Sequence, residues 1–169
     1  NQIDVTLVAE HGAFIYDTQR KRWQDQIKQQ HSWLDLAAQI MADYVSRVPN
    51  SSIEQKNHAI VWHYRKSSPD YSTFHAYKLY EELKLRLHDQ PVTVTHGKKT
   101  IEVKHIEASK AHFIQQRMAQ EENGQSNFYI AIGDDITDED MFDAIGRDGI
   151  SIKVGADRSL ANICLTTPA

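Results

Sequence analysis

Residues 130–142 read Ile-Ala-Ile-Gly-Asp-Asp-Ile-Thr-Asp-Glu-Asp-Met-Phe, and this stretch constrains the chain more than any other. A short apolar run, Phe128 to Ile132, ends at Gly133. Six of the next ten residues are acidic: Asp134, Asp135, Asp138, Glu139, Asp140 and Asp143. Met141, Phe142, Ala144 and Ile145 then resume at helical spacing. The pattern predicts a strand that delivers carboxylates to its C-terminal end, followed by a helix. In open α/β sheets, ligands bind at that edge.

Two readings of the acids stand side by side. Thr137 is a suitable helix N-cap, and Asp140 three residues on completes a capping-box pattern. Asp138 and Glu139 then sit in the first turn, where negative charge complements the helix dipole. That structural reading leaves Asp134 and Asp135 unexplained. Adjacent carboxylates repel unless a cation joins them. Hard oxygen ligands suit Mg²⁺, which takes one or two protein carboxylates and keeps its waters for a phosphate. An EF-hand does not fit, because its third and sixth loop positions would be Ile136 and Glu139.

Composition narrows the classes. A chain of 169 residues holds one core, or a core plus a small subdomain. Hydrophobic content of 40% and charged content of 25% are ordinary for a globular protein. A formal charge of −4 gives no reason to expect nucleic acid. The nine histidines are scattered, with no HxxxH or HExxH pair, so zinc is not expected. The single cysteine, Cys164, excludes an internal disulfide and predicts a reducing, cytoplasmic setting. No apolar run approaches the roughly 18 residues that a membrane span needs, so no membrane partner is expected. The chain opens without Met on an apolar run and stops soon after Leu165, which predicts a piece of a longer polypeptide.

Along the chain, Val5 to Ala9 and Ala13 to Tyr16 read as strands, the first of them buried. Residues 17–30 are polar and read as no element. Trp33, Leu36, Ala37, Ile40, Met41, Tyr44 and Val48 follow helical spacing. Ile53 to Arg65 is strand-like. Phe74, Tyr77, Tyr80, Leu83 and Leu87 form the next helical stripe. Val92–Thr95 and Thr100–Val103 read as a hairpin. Beyond residue 105 the order is strictly αβαβ, the mark of a parallel sheet with flanking helices. The expected fold class is α/β: a Rossmann-type core of 1–24 and 106–169, interrupted by an α+β subdomain of 25–105.

This arrangement resembles the haloacid-dehalogenase-like phosphatases with an inserted cap, and within them the trehalose-6-phosphate phosphatases. The matching residues are Ala9-Glu10-His11-Gly12-Ala13, His63-Tyr64-Arg65, Ile101-Glu102-Val103-Lys104 ahead of Lys110, and Gly133 to Met141. Their order and spacing cover essentially the whole chain. The last segment is highly specific.

The resemblance implies Mg²⁺-dependent hydrolysis of trehalose 6-phosphate through an aspartyl-phosphate. Covalent catalysis of this kind splits one hard displacement into two easier ones. Lys110 is implied to meet the phosphoryl group, and Asp134 to hold the metal with Asp135 and Asp138 beside it. Asp138 is implied alternatively to hold Lys110. On the cap, Glu54, Lys56 and Glu102 are implied to grip the sugar, with Arg65 near the mouth. His11 and Gly12 would lie at the core–cap junction. His63 receives no role. A trehalose-phosphate synthase domain or subunit is the implied companion.

Two departures stand out. No apolar strand in this chain is followed by Asp-x-Asp-Gly-Thr, so the nucleophile and the acid/base are absent, as is the Ser/Thr phosphate-binding motif. The expectation is that they lie upstream and that the chain alone is inactive. Ser109-Lys110-Ala111 also stands where the family usually has Asn-Lys-Gly. A non-catalytic regulatory subunit and a phosphatase for another sugar phosphate remain as alternatives.

Overall fold

A computed structural model describes residues 6–27, 32–120 and 128–166. The chain divides into two compact units, Asn1–Ile27 with Glu107–Ala169, and Lys28–Ile106. The first unit opens with three antiparallel strands in the order β1 (Val8–Ala9), β2 (Phe14–Asp17), β3 (Arg22–Asp25). The sequence reading expects no strand at β3. The Asp17 carboxylate makes the turn, accepting the N–H groups of Gln19 and Arg20 at 2.9 Å each. Lys21 takes a left-handed φ of 51°. No Gly or Asn advertises that turn. Contrary to the expected buried first strand, Leu7 and Val8 are exposed. Among the described residues, β1 pairs only with β2.

The second unit is a four-stranded antiparallel sheet under two helices. Its elements are α1 (Ser32–Arg47), β4 (Ser52–Gln55), β5 (Ala59–His63), α2 (Pro69–Arg86), β6 (Val92–Gly97) and β7 (Thr100–His105). The sheet order is β4-β5-β7-β6. Alternation sends Ile60, Trp62, Ile101 and Val103 into one core with Trp33, Met41 and Leu79. The α2 stripe holds at Tyr80, Leu83 and Leu87 and differs from the sequence expectation at its start. Phe74 and Tyr77 are exposed, and the buried face is Ser72, Ala76, Leu79 and Leu83. Small Ser72 and Ala76 let the helix approach closely, which turns the larger aromatics outward.

The first unit resumes with α3 (Lys110–Gln120), β8 (Tyr129–Gly133), α4 (Glu139–Ile145), β9 (Gly149–Val154) and β10 (Ile163–Leu165). These three strands are parallel, in the order β10-β9-β8. Ala131, Phe142 and Ile145 form the core beneath them, joined by Ile114, Tyr129 and Met141. The expected helices and parallel strands are thus present. The other face of β8 is open: Ile130 and Ile132 are about 60% exposed. Parallel sheets are normally covered on both faces. The described residues cover one.

Candidate active site

The C-terminal end of β8 is built around Asp138, which is 3% exposed. A Cβ added at Gly133 would overlap the Asp138 side chain, so a glycine is required where the carboxylate folds back over the strand end. Asp138 Oδ2 accepts the N–H groups of Asp134 and Asp135, each at 3.0 Å. Its Oδ1 accepts from Lys110 Nζ at 2.5 Å. Burial pushes the Asp138 pKa up. The hydrogen bond from Lys110, its charge and the two backbone donors outweigh burial and hold the carboxyl below its usual range.

The helix start is shifted from the expected one. A 3-10 turn, Ile136–Asp138, precedes α4, and its N-cap is Asp135 instead of Thr137. Asp135 Oδ1 accepts the Ile136 N–H at 2.7 Å, and Asp135 and Asp138 form the capping box. The motif therefore closes two residues earlier than expected; it occupies Asp138 Oδ2, and Lys110 occupies Oδ1. Asp134 and Asp135 remain exposed at the mouth of the sheet. Asp134 takes no part in this hydrogen-bond network with its carboxylate.

Lys110 is the first residue of α3, and its side chain is 39% exposed. It reaches Asp138 from one side while keeping a wet face. Glu10–Gly12 packs against the same helix start. Glu10 and His11 have φ of 47° and 59°, and Gly12 has 102°. Such non-glycine left-handed residues cost about 1 kcal/mol each or more and cluster at functional sites. A Cβ on Gly12 would come within 2.7 Å of Phe113 Cβ, so this turn docks closely enough to require glycine.

Within the second unit, the sheet face away from the helices carries the other candidates. Glu54, Val61, Glu102 and Thr95 are directly paired across β4, β5, β7 and β6, so their side chains share that face. Lys56 Nζ lies 3.6 Å from Glu54 Oε1. His63, left without a role by the sequence, belongs to this face: its Nε2 is 3.0 Å from Glu54 Oε2. Arg65 follows the end of β5 and is exposed. No local pattern signals that a strand histidine joins an acid nine residues earlier, because the hairpin register alone creates the pair.

Lys153 was also missed. In Ile150-Ser-Ile-Lys-Val154 it alternates with apolar residues and reads as an outward position. It is 3% exposed and lies beneath the Asp134–Asp135 loop. A polar residue inside a parallel strand was the available signal, since such strands are buried on both faces. Among the described residues no three His, Cys, Asp or Glu side chains converge as a metal cage. No helix among them is long and apolar enough to cross a membrane.

The chain is similar to known proteins in both sequence and fold. A family model described as trehalose-phosphatase matches residues 3–163. A Dictyostelium discoideum protein named alpha,alpha-trehalose-phosphate synthase [UDP-forming] B is 33% identical over 85% of this chain and 18% of its own length. A Schizosaccharomyces pombe trehalose-phosphatase is 32% identical over 96% of this chain and 21% of its own. The chain thus spans about a fifth of these relatives. The C. albicans trehalose-6-phosphate phosphatase C-terminal domain superposes with a TM-score of 0.79 at 30% identity, over 96% of this chain and 66% of that one. The fold is haloacid-dehalogenase-like, and the chain belongs to the trehalose-phosphatase family.

Proposed function

We propose that this chain is part of a phosphatase that hydrolyses trehalose 6-phosphate to trehalose and phosphate. The observation that carries the reading is the Lys110–Asp138–Asp134 arrangement at the end of a parallel sheet. It stands in a chain of the trehalose-phosphatase family. Lys110 presents an ammonium, half exposed and held by Asp138, to the transferring phosphoryl group. Phosphoryl transfer needs mainly positioning and neutralisation of charge. Asp134 and Asp135 supply hard, outward carboxylate oxygens, and this donor set fits Mg²⁺, which needs only one or two. When bound there, Mg²⁺ would neutralise charge on the phosphoryl oxygens. Asp138 acts through others: it holds Lys110 on one oxygen and the metal-bearing loop on the other.

In this reading residues 1–24 and 106–169 form the catalytic core and 25–105 the cap. Glu54, Lys56 and Glu102 bind sugar hydroxyls as acceptors and donor. Arg65, His11 and Gly12 are further substrate-binding residues in this reading. The attacking carboxylate is not among these residues. The protein works in the cytoplasm beside a trehalose-phosphate synthase domain or subunit. The full gene product should release phosphate from trehalose 6-phosphate with Mg²⁺ and lose the activity in a chelator. Lys110→Gln should lower kcat by roughly 100–1,000-fold. Preferred turnover of sucrose 6-phosphate would reassign the substrate. No turnover of any sugar phosphate would favour a regulatory subunit.

A further inference from the structure

We propose that Lys153 is a positioning residue that presets the aim of Asp134 toward a divalent cation. The inference rests on the metal reading above and goes beyond it, to a side chain on a different strand. Lys153 stands on β9 directly beside Gly133 of β8. Its side chain is 4% exposed, in a site where an ammonium persists only if its hydrogens are used. Nζ donates to the main-chain oxygen of Asp134 at 2.9 Å and lies 3.4 Å from that of Asp135. It faces Glu139 Oε1 at 3.6 Å. The ammonium thus donates to two main-chain oxygens, while the Glu139 carboxylate, beyond hydrogen-bond reach at 3.6 Å, balances its charge.

The consequence falls on Asp134. Its N–H is held by Asp138 Oδ2 and its C=O by Lys153 Nζ, at 3.0 and 2.9 Å. Both peptide groups flanking its Cα are therefore clamped by buried charges. Only its side-chain torsions remain free, and the carboxylate projects to solvent. Glu139 anchors the second clamp in turn. Its Oε2 accepts Ser159 Oγ at 3.0 Å and the Leu160 N–H at 2.7 Å. The loop, the start of α4 and the 159–160 turn thus converge on one cation. Groups that orient a metal ligand without touching the metal typically change affinity 10–100-fold when removed.

The test uses the full gene product, without substrate, titrated with Mg²⁺ in a calorimeter. Lys153→Met should raise the Mg²⁺ Kd roughly 10–100-fold, while KM for trehalose 6-phosphate at saturating Mg²⁺ stays within about twofold. Lys153→Arg, which can donate to both carbonyls, should restore most of the affinity. A merely structural lysine would lower Tm and leave Kd unmoved; that result overturns the proposal alone. Absence of Mg²⁺ binding by the unsubstituted protein overturns the metal reading and this proposal together. If Lys153→Met does not fold, Lys153→Gln keeps the two N–H donors of an amide without the charge and should show a smaller rise in Kd. Failure of both to fold makes Lys153 a fold residue and overturns the proposal.

Discussion

Lys110 Nζ lies 2.5 Å from Asp138 Oδ1, while the other oxygen of that carboxylate holds the N–H of Asp134. One buried acid therefore couples the candidate phosphate-binding cation on α3 to the candidate metal-bearing loop after β8. Asp138→Ala removes the acceptor for two N–H groups and one ammonium. Lys110 is more than a third exposed, so water screens it and most of the cost comes from the two orphaned N–H groups. The expected loss is about 3 kcal/mol, read from the midpoint of urea unfolding. A change below about 0.5 kcal/mol would show that the loop does not depend on this clamp.

The same contacts predict a response to acid. The Asp138 pKa is lower folded than unfolded. Its stabilisation is therefore present above the unfolded value of about 3.9 and fades as pH falls through the folded value. Glu139 is lowered too, chiefly by the Leu160 N–H, and carries the same sign. Urea midpoints from pH 6 down to pH 3 should fall more steeply for the native chain than for Asp138→Asn. Parallel curves would remove Asp138 from the explanation.

Gly133→Ala probes the close approach directly. The added Cβ would meet the Asp138 carboxylate and Cβ, and the clash displaces a side chain that has three bonds to lose. Overpacking of this kind costs about 1–3 kcal/mol. Thermal unfolding measures it, and an unchanged Tm would mean that Asp138 can move aside at no cost.

At high pH the second unit should respond. Burial, then the hydrogen bond to Glu82, push the Tyr44 phenol up to about 12. The unfolded phenol ionises near 10, so stability is present below that and is lost as pH rises toward 12. Burial raises the Tyr64 phenol as well, so absorbance of phenolate should show late-titrating tyrosine that Tyr44→Phe reduces without abolishing.

How far the sequence could be read depended on whether the relevant physics was local. The helix of Trp33 to Val48 and the strand before Gly133 have strong periodicity, and both appear where expected. Only the first turns of the α2 stripe depart from expectation, because aromatic Phe74 and Tyr77 outweigh Ser72 and Ala76 in the pattern, whereas close helix packing favours the small ones. The acidic segment announced a site, but its internal division did not follow from residue types. Asp134 and Asp138 are chemically identical; a 3-10 turn sends one outward and buries the other. Lys153 and His63 acquire their partners only through strand register, across 18–19 residues in one case and nine in the other.

The shared face of Glu54 and Glu102 predicts a kinetic separation. Both carboxylates lie in one row across the sheet, with Lys56 and His63 within 3.6 Å of Glu54. None belongs to the unit that carries Lys110 and Asp134. If this face holds the sugar, its contacts act mainly on binding, and their loss should appear mainly in KM. Glu102→Gln in the full gene product should raise KM for trehalose 6-phosphate about tenfold, as removal of a charged hydrogen bond worth roughly 1.5 kcal/mol would. Turnover of p-nitrophenyl phosphate, which has no sugar to grip, should stay unchanged. Equal loss on both substrates would mean that Glu102 supports the fold or the chemistry and that the sugar is held elsewhere.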